Sequence, residues 1–149
     1  MRKFEIVENK FLNYDGAKPI LPKRATMHSV CYDFYCPADV ILPAQKITLV
    51  WTNIKAIFNE NEALILATRS SFASKGIMLA NGIGIIESDY ANNQTNGGNL
   101  GFLLFNSTSQ DFKISKNDKF GQGMFINFLT TTDEQPITTK RTGGFGSTN

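Results

Sequence analysis

The sequence of 149 residues predicts an all-β domain, either a sandwich or a barrel, and three observations carry this prediction. Short apolar runs rich in β-branched and aromatic residues recur along the chain. Glycine, asparagine and proline separate these runs, and no stretch sustains the period of a long amphipathic helix. A chain of this length is expected to form one domain that buries a core without disulfides or a structural metal.

Seven runs are predicted to contain strands: MHSVCYDFYC, KITLVWTNIKAIF, EALILAT, IGIIESDY, LGFLLFN, FKISKND and FGQGMFINFL. In the second run, the alternation of apolar residues from Ile47 to Trp51 breaks near Asn53 and then resumes. This change of phase indicates a bulge or a bend between two strands. The segment RSSFASKGI predicts a short helical turn that begins at the serines and ends at Gly76.

The run NGIGIIESDY, residues 81–90, ends in two carboxylates. If the backbone is extended there, Glu87 and Asp89 share one side of the strand while Ser88 faces the other. A solvated hairpin end is one interpretation, and a pair of functional carboxylates is the other. The following loop, ANNQTNGGN (residues 91–99), is polar, and its asparagines and glycines suit positive φ angles.

The domain is predicted to span residues 1–130, and residues 131–149 are predicted to form a flexible C-terminal arm outside the core. The arm has almost no core-forming side chains and carries Arg141 and Phe145 among glycines. Backbone N–H groups of a glycine-rich segment can face phosphate oxygens. The arm therefore suits closing over a ligand, although a plain disordered tail has the same composition.

Composition excludes several classes of partner. A net charge of +2 is too small to predict nucleic-acid binding by bulk electrostatics. No apolar window is long enough to span a membrane, and the N-terminus does not resemble a signal peptide, so we expect a cytoplasmic protein without a membrane partner. Cys31, Cys36 and His28 could supply three zinc ligands, but a fourth is missing. We expect reduced, mostly buried thiols.

Five segments, taken in order, resemble the five motifs of the trimeric dUTP diphosphatases, the dUTPases. They are VCYDF (30–34), TRSS (68–71), NGIGIIESDY (81–90), NDKFGQ (117–122) and RTGGFGSTN (141–149). The insert after Tyr90 resembles the forms found in Gram-positive bacteria and their phages. The resemblance implies a distorted jelly-roll, or β-barrel, domain that forms a threefold homotrimer with active sites built from all three chains. It also implies Mg²⁺-dependent hydrolysis of dUTP to dUMP and pyrophosphate.

The resemblance further implies which residues carry the chemistry. Glu87 stands where the family has the aspartate that orients and deprotonates the attacking water. Asp33 matches an aspartate that meets Mg²⁺ through its water shell, and the other metal ligands are substrate phosphates. Tyr90 matches the aromatic residue that packs under the deoxyribose and leaves no room for a 2′-hydroxyl.

The remaining positions match residues that bind the base and the phosphates. Those expected on the triphosphate are Arg69, Ser70, Ser71 and Gln122. Those expected on uracil, in a hairpin that mimics Watson–Crick pairing, are Asn81, Gly84 and Ile86. In the arm, Phe145 is expected to stack on uracil, and the residues expected around the γ-phosphate are Arg141, Gly146, Ser147 and Thr148.

Glu87 is the main departure from the family pattern. One extra methylene moves a carboxylate by about 1–1.5 Å, and a misplacement on this scale can cost roughly 10²-fold in rate. Three hypotheses follow: a shifted hairpin that still seats Glu87, a slow enzyme, or a nucleotide-binding regulatory protein with little turnover. The loop ANNQTNGGN and the segment EQPITTK are candidate surfaces for such a regulatory role.

Smaller departures lie in the second and fourth motifs. The fourth motif has Asn117 and Lys119 where the family usually has the glycine and the arginine of Gly-Asp-Arg, and it has Gly121 where alanine is usual. In the second motif, Thr68 replaces a common proline. We expect these positions to affect structure alone. The related dCTP deaminases share the fold and Arg-Ser-Ser, but they need a glutamate in the strand that matches LGFLLFN. That strand has no acidic residue, which argues against a deaminase.

Overall fold

The computed structural model describes residues 1–144, and their secondary structure is almost entirely strand. One short helix, α1 (Ser70–Ala73), and two 3₁₀ turns, Asn9–Phe11 and Ser88–Tyr90, interrupt the strands. The strands are β1 (Lys3–Ile6), β2 (Lys23–Arg24), β3 (Tyr32–Tyr35), β4 (Val40–Leu42), β5 (Ile47–Trp51), β6 (Ile54–Ile57), β7 (Glu62–Thr68), β8 (Ile77–Leu79), β9 (Gly84–Glu87), β10 (Gly101–Asn106), β11 (Phe112–Ile114) and β12 (Lys119–Asn127).

Four antiparallel sheets enclose one core. The largest has the order β2-β3-β12-β7-β9, and the others are β5-β10-β8, β1-β6 and β4-β11. This arrangement is a distorted jelly roll and confirms the predicted fold class. Within residues 1–144 the strand orders are open, so none of these sheets closes into a barrel. The described part of the chain contains no helix long and apolar enough to cross a membrane.

The core forms because alternate residues of the strands turn inward. In β10, Phe102, Leu104 and Asn106 are fully buried while the residues between them are only half-buried. The Phe102 ring meets Phe34 and Phe120 edge-on, with ring centroids 5.5 and 5.1 Å apart. Such contacts add to the free energy gained by burying the rings.

The break in apolar alternation near Asn53 is confirmed as a change of sheet. β5 pairs with β10, whereas β6 pairs with β1. Between them, Asn53 has a φ of 60° and is fully buried. Its side-chain amide donates to the carbonyls of Asn13 and Ala17, and its side-chain oxygen accepts the Asn13 N–H. An asparagine suits this bend because it tolerates positive φ and satisfies buried backbone groups.

Other local predictions are confirmed in the same way. Each of the seven predicted runs contains at least one strand, and α1 begins at Ser70. Gly76 follows the helix with a φ of 76°, which glycine adopts without strain. Asn92, Gly97 and Gly98 in the polar loop all have positive φ angles. The sequence analysis missed β1, β2, β4 and β8, which have only two to four residues each.

Gly121 in β12 is explained by the core. A Cβ atom built at this position would lie 2.4 Å from Cε1 and 2.5 Å from Cζ of Phe102. Carbon atoms in van der Waals contact are about 3.5–4.0 Å apart, so the ring occupies the space that a methyl group needs. Glycine at position 121 is therefore matched to the Phe102 ring.

We predict that Gly121→Ala lowers the free energy of unfolding by about 1–3 kcal/mol, as overpacked cores do. Urea unfolding of the purified protein measures this change. In a Phe102→Leu background, which shortens the obstructing side chain, the alanine should cost less than it does alone. Equal costs in the two backgrounds would contradict this explanation.

Candidate functional site

The loop that joins β8 to β9, which we call the hairpin although the two strands pair in different sheets, forms the first part of the site. Asn81 lies in the turn beside Gly82, whose φ is 75°. β9 then pairs with β7, with Gly84 opposite Leu66 and Glu87 opposite Ala63. A Cβ atom at Gly84 would lie 3.1 Å from the Leu66 Cβ, so glycine permits the close approach of these strands.

This hairpin opens onto a cavity of about 250 Å³, which we call the hairpin cavity. All of the hairpin residues predicted from the sequence line it, together with one residue of the arm. These lining residues are Asn81, Gly84, Ile86, Glu87, Tyr90 and Arg141. The volume suits a ligand smaller than a typical drug-sized molecule.

The two carboxylates share a side, but not because the strand continues. β9 ends at Glu87, and residues Ser88–Tyr90 form a 3₁₀ turn, so the strand alternation considered for Asp89 does not apply. The turn nevertheless brings both carboxylates to the guanidinium group of Arg141. Its Nη2 lies 2.9 Å from Oε2 of Glu87, and its Nε lies 3.0 Å from Oδ1 of Asp89.

The arm contacts the domain at Arg141. Residues 131–140 are all exposed and contain neither helix nor strand, whereas the Arg141 side chain is only 11% exposed. Its guanidinium carbon lies 5.8 Å from the centroid of the Tyr90 ring. The arm therefore contacts the hairpin of its own chain. The predicted arm residues Phe145, Gly146, Ser147 and Thr148 lie outside the described residues, and the domain boundary at residue 130 stays a prediction.

Tyr90 forms a buried wall of the hairpin cavity. Its side chain donates a hydrogen bond to the Asn99 carbonyl at 2.9 Å and accepts one from Nδ2 of Asn96 at 2.8 Å. Burial raises the pKa of the Tyr90 hydroxyl above its ordinary value of 10.0. The polar loop of residues 91–99 is thus more than a solvated connection, because Asn93 and Asn99 are themselves buried.

The second group of predicted residues surrounds Asp33. This carboxylate on β3 is buried, and Gln122 on β12 lies opposite it in the sheet register. Arg69 approaches Oδ1 of Asp33 with its Nε at 3.1 Å, and Lys119 approaches Oδ2 with its Nζ at 2.9 Å. Arg69 also donates to the Lys119 carbonyl, so these side chains hold one another in place. Lys119, expected from sequence to be structural, is part of this ion-pair cluster.

These residues line a separate cavity of about 490 Å³, which we call the Arg-Ser-Ser cavity. The predicted residues that line it are Asp33, Arg69, Ser70, Ser71 and Gln122. A guanidinium group with hydroxyl and amide donors suits a phosphate ligand. The side-chain amide of Gln122 donates to the Thr68 carbonyl at 3.1 Å, which fixes its orientation.

The Arg-Ser-Ser cavity offers one carboxylate for a cation. The described residues contain no group of three His, Cys, Asp or Glu side chains that could hold a metal ion. Mg²⁺ commonly keeps several waters and binds through one or two carboxylates plus substrate phosphates. Asp33 fits a water-mediated contact of this kind. Cys31 also lines the cavity, and Cys36 is buried, which raises the pKa of its thiol to about 11.

The two cavities share no lining residue and lie far apart in one chain. Gln122 pairs with Ala67 in β7, and Ala63, four residues along the same strand, pairs with Glu87. The rise over four strand residues gives about 13 Å along the strands, and three strand spacings give about 14 Å across them. The backbones at Asp33 and Glu87 are therefore roughly 19 Å apart. One chain therefore does not bring the two groups together.

A small cavity lined by a hairpin and an aromatic wall, with a separate cluster of phosphate-type donors, defines a protein that acts on nucleotides. The chain belongs to the dUTPase family, whose profile matches residues 17–149.

Similar proteins include the deoxyuridine 5′-triphosphate nucleotidohydrolase of Lactococcus lactis subsp. lactis, which is 37% identical over 99% of this chain and 97% of its own length. The mitochondrial enzyme of the same name from Dictyostelium discoideum is 32% identical over 88% of this chain and 72% of its own. The crystal structure of the dUTPase from Streptococcus mutans superposes with a TM-score of 0.78 at 33% identity, covering 87% of this chain and 98% of that one. These similarities support the Gram-positive type of dUTPase.

The raised pKa of Tyr90 predicts a pH dependence of stability. The folded state holds the phenolic proton more tightly than the unfolded state does. The contribution of this proton to the free energy of unfolding is therefore complete below pH 10 and is lost as the pH rises above it. The free energy of unfolding should therefore fall more steeply above pH 10 in the wild-type protein than in Tyr90→Phe. Parallel slopes in urea unfolding at several pH values would show that burial does not shift this group.

Proposed function

We propose that the chain hydrolyses dUTP to dUMP and pyrophosphate, with Glu87 orienting the attacking water. The observation that carries the proposal is the position of Glu87, which lines the hairpin cavity while its side chain is 55% exposed. A carboxylate placed in this way can meet both a bound nucleotide and a water molecule. Membership of the dUTPase family and the named activity of the Lactococcus relative support the same reaction.

The hairpin cavity is proposed to bind uracil and deoxyribose. Asn81 and the backbone of β9 at Gly84 and Ile86 offer hydrogen bonds to the base, and Tyr90 forms a wall beside the sugar. A ribose 2′-hydroxyl pressed against this wall would lose its hydrogen bonds to water, which costs binding energy and favours deoxyribose. A solved dUTPase of Staphylococcus bacteriophage 80alpha carries the nucleotide dUpNHpp, which supports the class of ligand.

The Arg-Ser-Ser cavity is proposed to bind the triphosphate. Arg69, the hydroxyls of Ser70 and Ser71, and Gln122 would place positive charge and donors around the phosphate oxygens. Bound Mg²⁺ would neutralise charge on the phosphates, and Asp33 would hold one of its water ligands. A phage phi11 dUTPase variant with the same fold, at 17% identity, coordinates a structural Mg(II) ion. The proposed role of Asp33 rests instead on its own position in the Arg-Ser-Ser cavity.

The chemical step follows from these positions. The water oxygen forms a bond to the α-phosphorus while the bond from that phosphorus to the oxygen that bridges to the β-phosphorus breaks. Glu87 takes a proton from the water, and the leaving pyrophosphate keeps the bridging oxygen and its electron pair. Arg141 is proposed to leave its contacts with Glu87 and Asp89 for the γ-phosphate, because a triphosphate carries more negative charge than two exposed carboxylates.

We further propose that the site forms between copies of the chain in a homotrimer. The separation of roughly 19 Å between Asp33 and Glu87 requires a second copy if both contact one nucleotide. Exposed apolar side chains beside the hairpin suit an interface, since large exposed apolar patches commonly mark association sites. These side chains are Ile85, Ile126 and Phe128. Both cysteines are free thiols, which suits the proposed cytoplasmic location.

Substitutions at Glu87 test the reaction. Glu87→Gln removes the base and should lower kcat for dUTP by about 10²-fold or more, with dUTP affinity nearly unchanged. Glu87→Asp withdraws the carboxylate and should lower kcat by about 10- to 100-fold. Pyrophosphate release with saturating dUTP and Mg²⁺ measures both rates.

Asp89→Asn is the matched control, because Asp89 is similarly exposed and contacts the same arginine. It should retain kcat within about threefold. Full activity of Glu87→Gln would exclude Glu87 as the base. A faster Glu87→Asp enzyme would instead favour the alternative of a nucleotide-binding protein with attenuated turnover.

A further inference from the structure

We propose that Asn96 is a positioning residue that sets the selection of deoxyribose over ribose by holding the hydroxyl of Tyr90. The residue lies in the polar loop of residues 91–99, outside the segments that carry the proposed reaction. The inference rests on the proposed function, because it assigns Asn96 to the same nucleotide site. It gives this loop a role in substrate choice.

The side-chain amide of Asn96 has a defined orientation. Its Oδ1 accepts hydrogen bonds from Nδ2 of Asn93 at 2.6 Å and from the Gly98 N–H at 3.0 Å. An exchange of its oxygen and nitrogen would set donors against donors at both contacts. The Nδ2 group must therefore face the Tyr90 hydroxyl, 2.8 Å away, as a donor.

The loop itself holds Asn96 in place. Oδ1 of Asn93 accepts the backbone N–H groups of Thr95 and Asn96 at 3.0 and 3.1 Å, which closes a tight turn. Nδ2 of Asn93 also donates to the Tyr90 carbonyl at 2.9 Å. The loop and the end of the hairpin are thus joined at both the backbone and the side chain of Tyr90.

These contacts fix the Tyr90 ring through two residues that do not themselves line the hairpin cavity. Its hydroxyl donates to the Asn99 carbonyl and accepts from Asn96, so both bonds would break if the ring moved away from a ligand. Rejection of a 2′-hydroxyl requires a wall that does not yield, because a small displacement would make room for one more oxygen. Asn96 supplies one of the two bonds that keep the wall in place.

The arm also contacts this amide. A Cβ atom built at Gly144 would lie 2.8 Å from Nδ2 of Asn96 and 3.6 Å from Cε2 of Tyr90. The Gly144 backbone therefore packs against the same pair of side chains. Asn96 lies between the sugar-facing tyrosine and the arm that covers it.

A double-mutant cycle tests the inference. The proteins are the wild type, Asn96→Ala, Tyr90→Phe and the double variant, and the measured quantity is kcat/KM for dUTP divided by kcat/KM for UTP. Loss of one such hydrogen bond should lower this ratio by about 5- to 30-fold in Asn96→Ala, chiefly because UTP becomes a better substrate. In the Tyr90→Phe background, Asn96→Ala should have little further effect, since no hydroxyl remains to be held.

Gln94→Ala is the control, because Gln94 is exposed in the same loop. It should leave the ratio unchanged. An unchanged ratio in Asn96→Ala, an equal loss for both substrates, or additive effects with Tyr90→Phe would each overturn the inference. An equal loss would assign Asn96 a purely structural role.

A second measurement separates this inference from the proposed function. Ring-carbon NMR of Tyr90 reports its titration without any substrate. Removal of the Asn96 donor should raise the pKa of Tyr90 further, because the hydrogen bond from Asn96 lowers it. A wild-type protein that does not hydrolyse dUTP would contradict the proposed function alone, whereas an unchanged Tyr90 titration in Asn96→Ala would contradict the positioning role.

Discussion

The register of β7 is the constraint on which the rest of the structure depends. This strand pairs along its length with β12 on one side and, over residues 63–66, with β9 on the other. The end of β7 at Thr68 leads into Arg69 and α1, which places the Arg-Ser-Ser cavity there. The opposite half of the strand pairs with Glu87. A slip of one residue would turn inward-facing side chains outward and would move both cavities.

Because β7 fixes both groups of site residues, it also keeps them apart. The carboxylate proposed to orient water lies on the edge strand β9, whereas the donors proposed to bind phosphate lie toward the opposite end of the sheet, on β12 and directly after β7. Side chains cannot close a gap of roughly 19 Å, which supports the proposal that a second copy of the chain completes the site. The arm adds a further contact, since the single positive charge of Arg141 already pairs with both Glu87 and Asp89 on its own hairpin. A substrate that binds Arg141, as proposed, would compete with this contact inside the protein.

The sequence predicted what depends on local pattern. The main strands and the bend at Asn53 followed from alternation and turn residues, and the family motifs singled out Asp33 and Arg69 one by one without predicting their contact. The sequence did not predict the short strands β1, β2, β4 and β8, which exist because other strands complete their hydrogen bonds. It also missed the contacts of Asn96 with Tyr90 and of Arg141 with Glu87. Both depend on the geometry of the loop or the arm, and the asparagine-rich composition of the loop was a signal for the Asn96 contact alone.

Subunit complementation tests the central claim most directly. Glu87→Gln and Arg69→Ala should each be inactive, because one lacks the proposed base and the other a phosphate ligand. If the site takes Glu87 from one chain and Arg69 from another, random association in an equal mixture of the two variants leaves both residues intact in about a quarter of the sites. Refolding such a mixture should therefore recover about a quarter of the wild-type dUTP hydrolysis. No recovery from a mixture that folds and assembles normally would contradict the account, because it would mean that each site uses one chain alone.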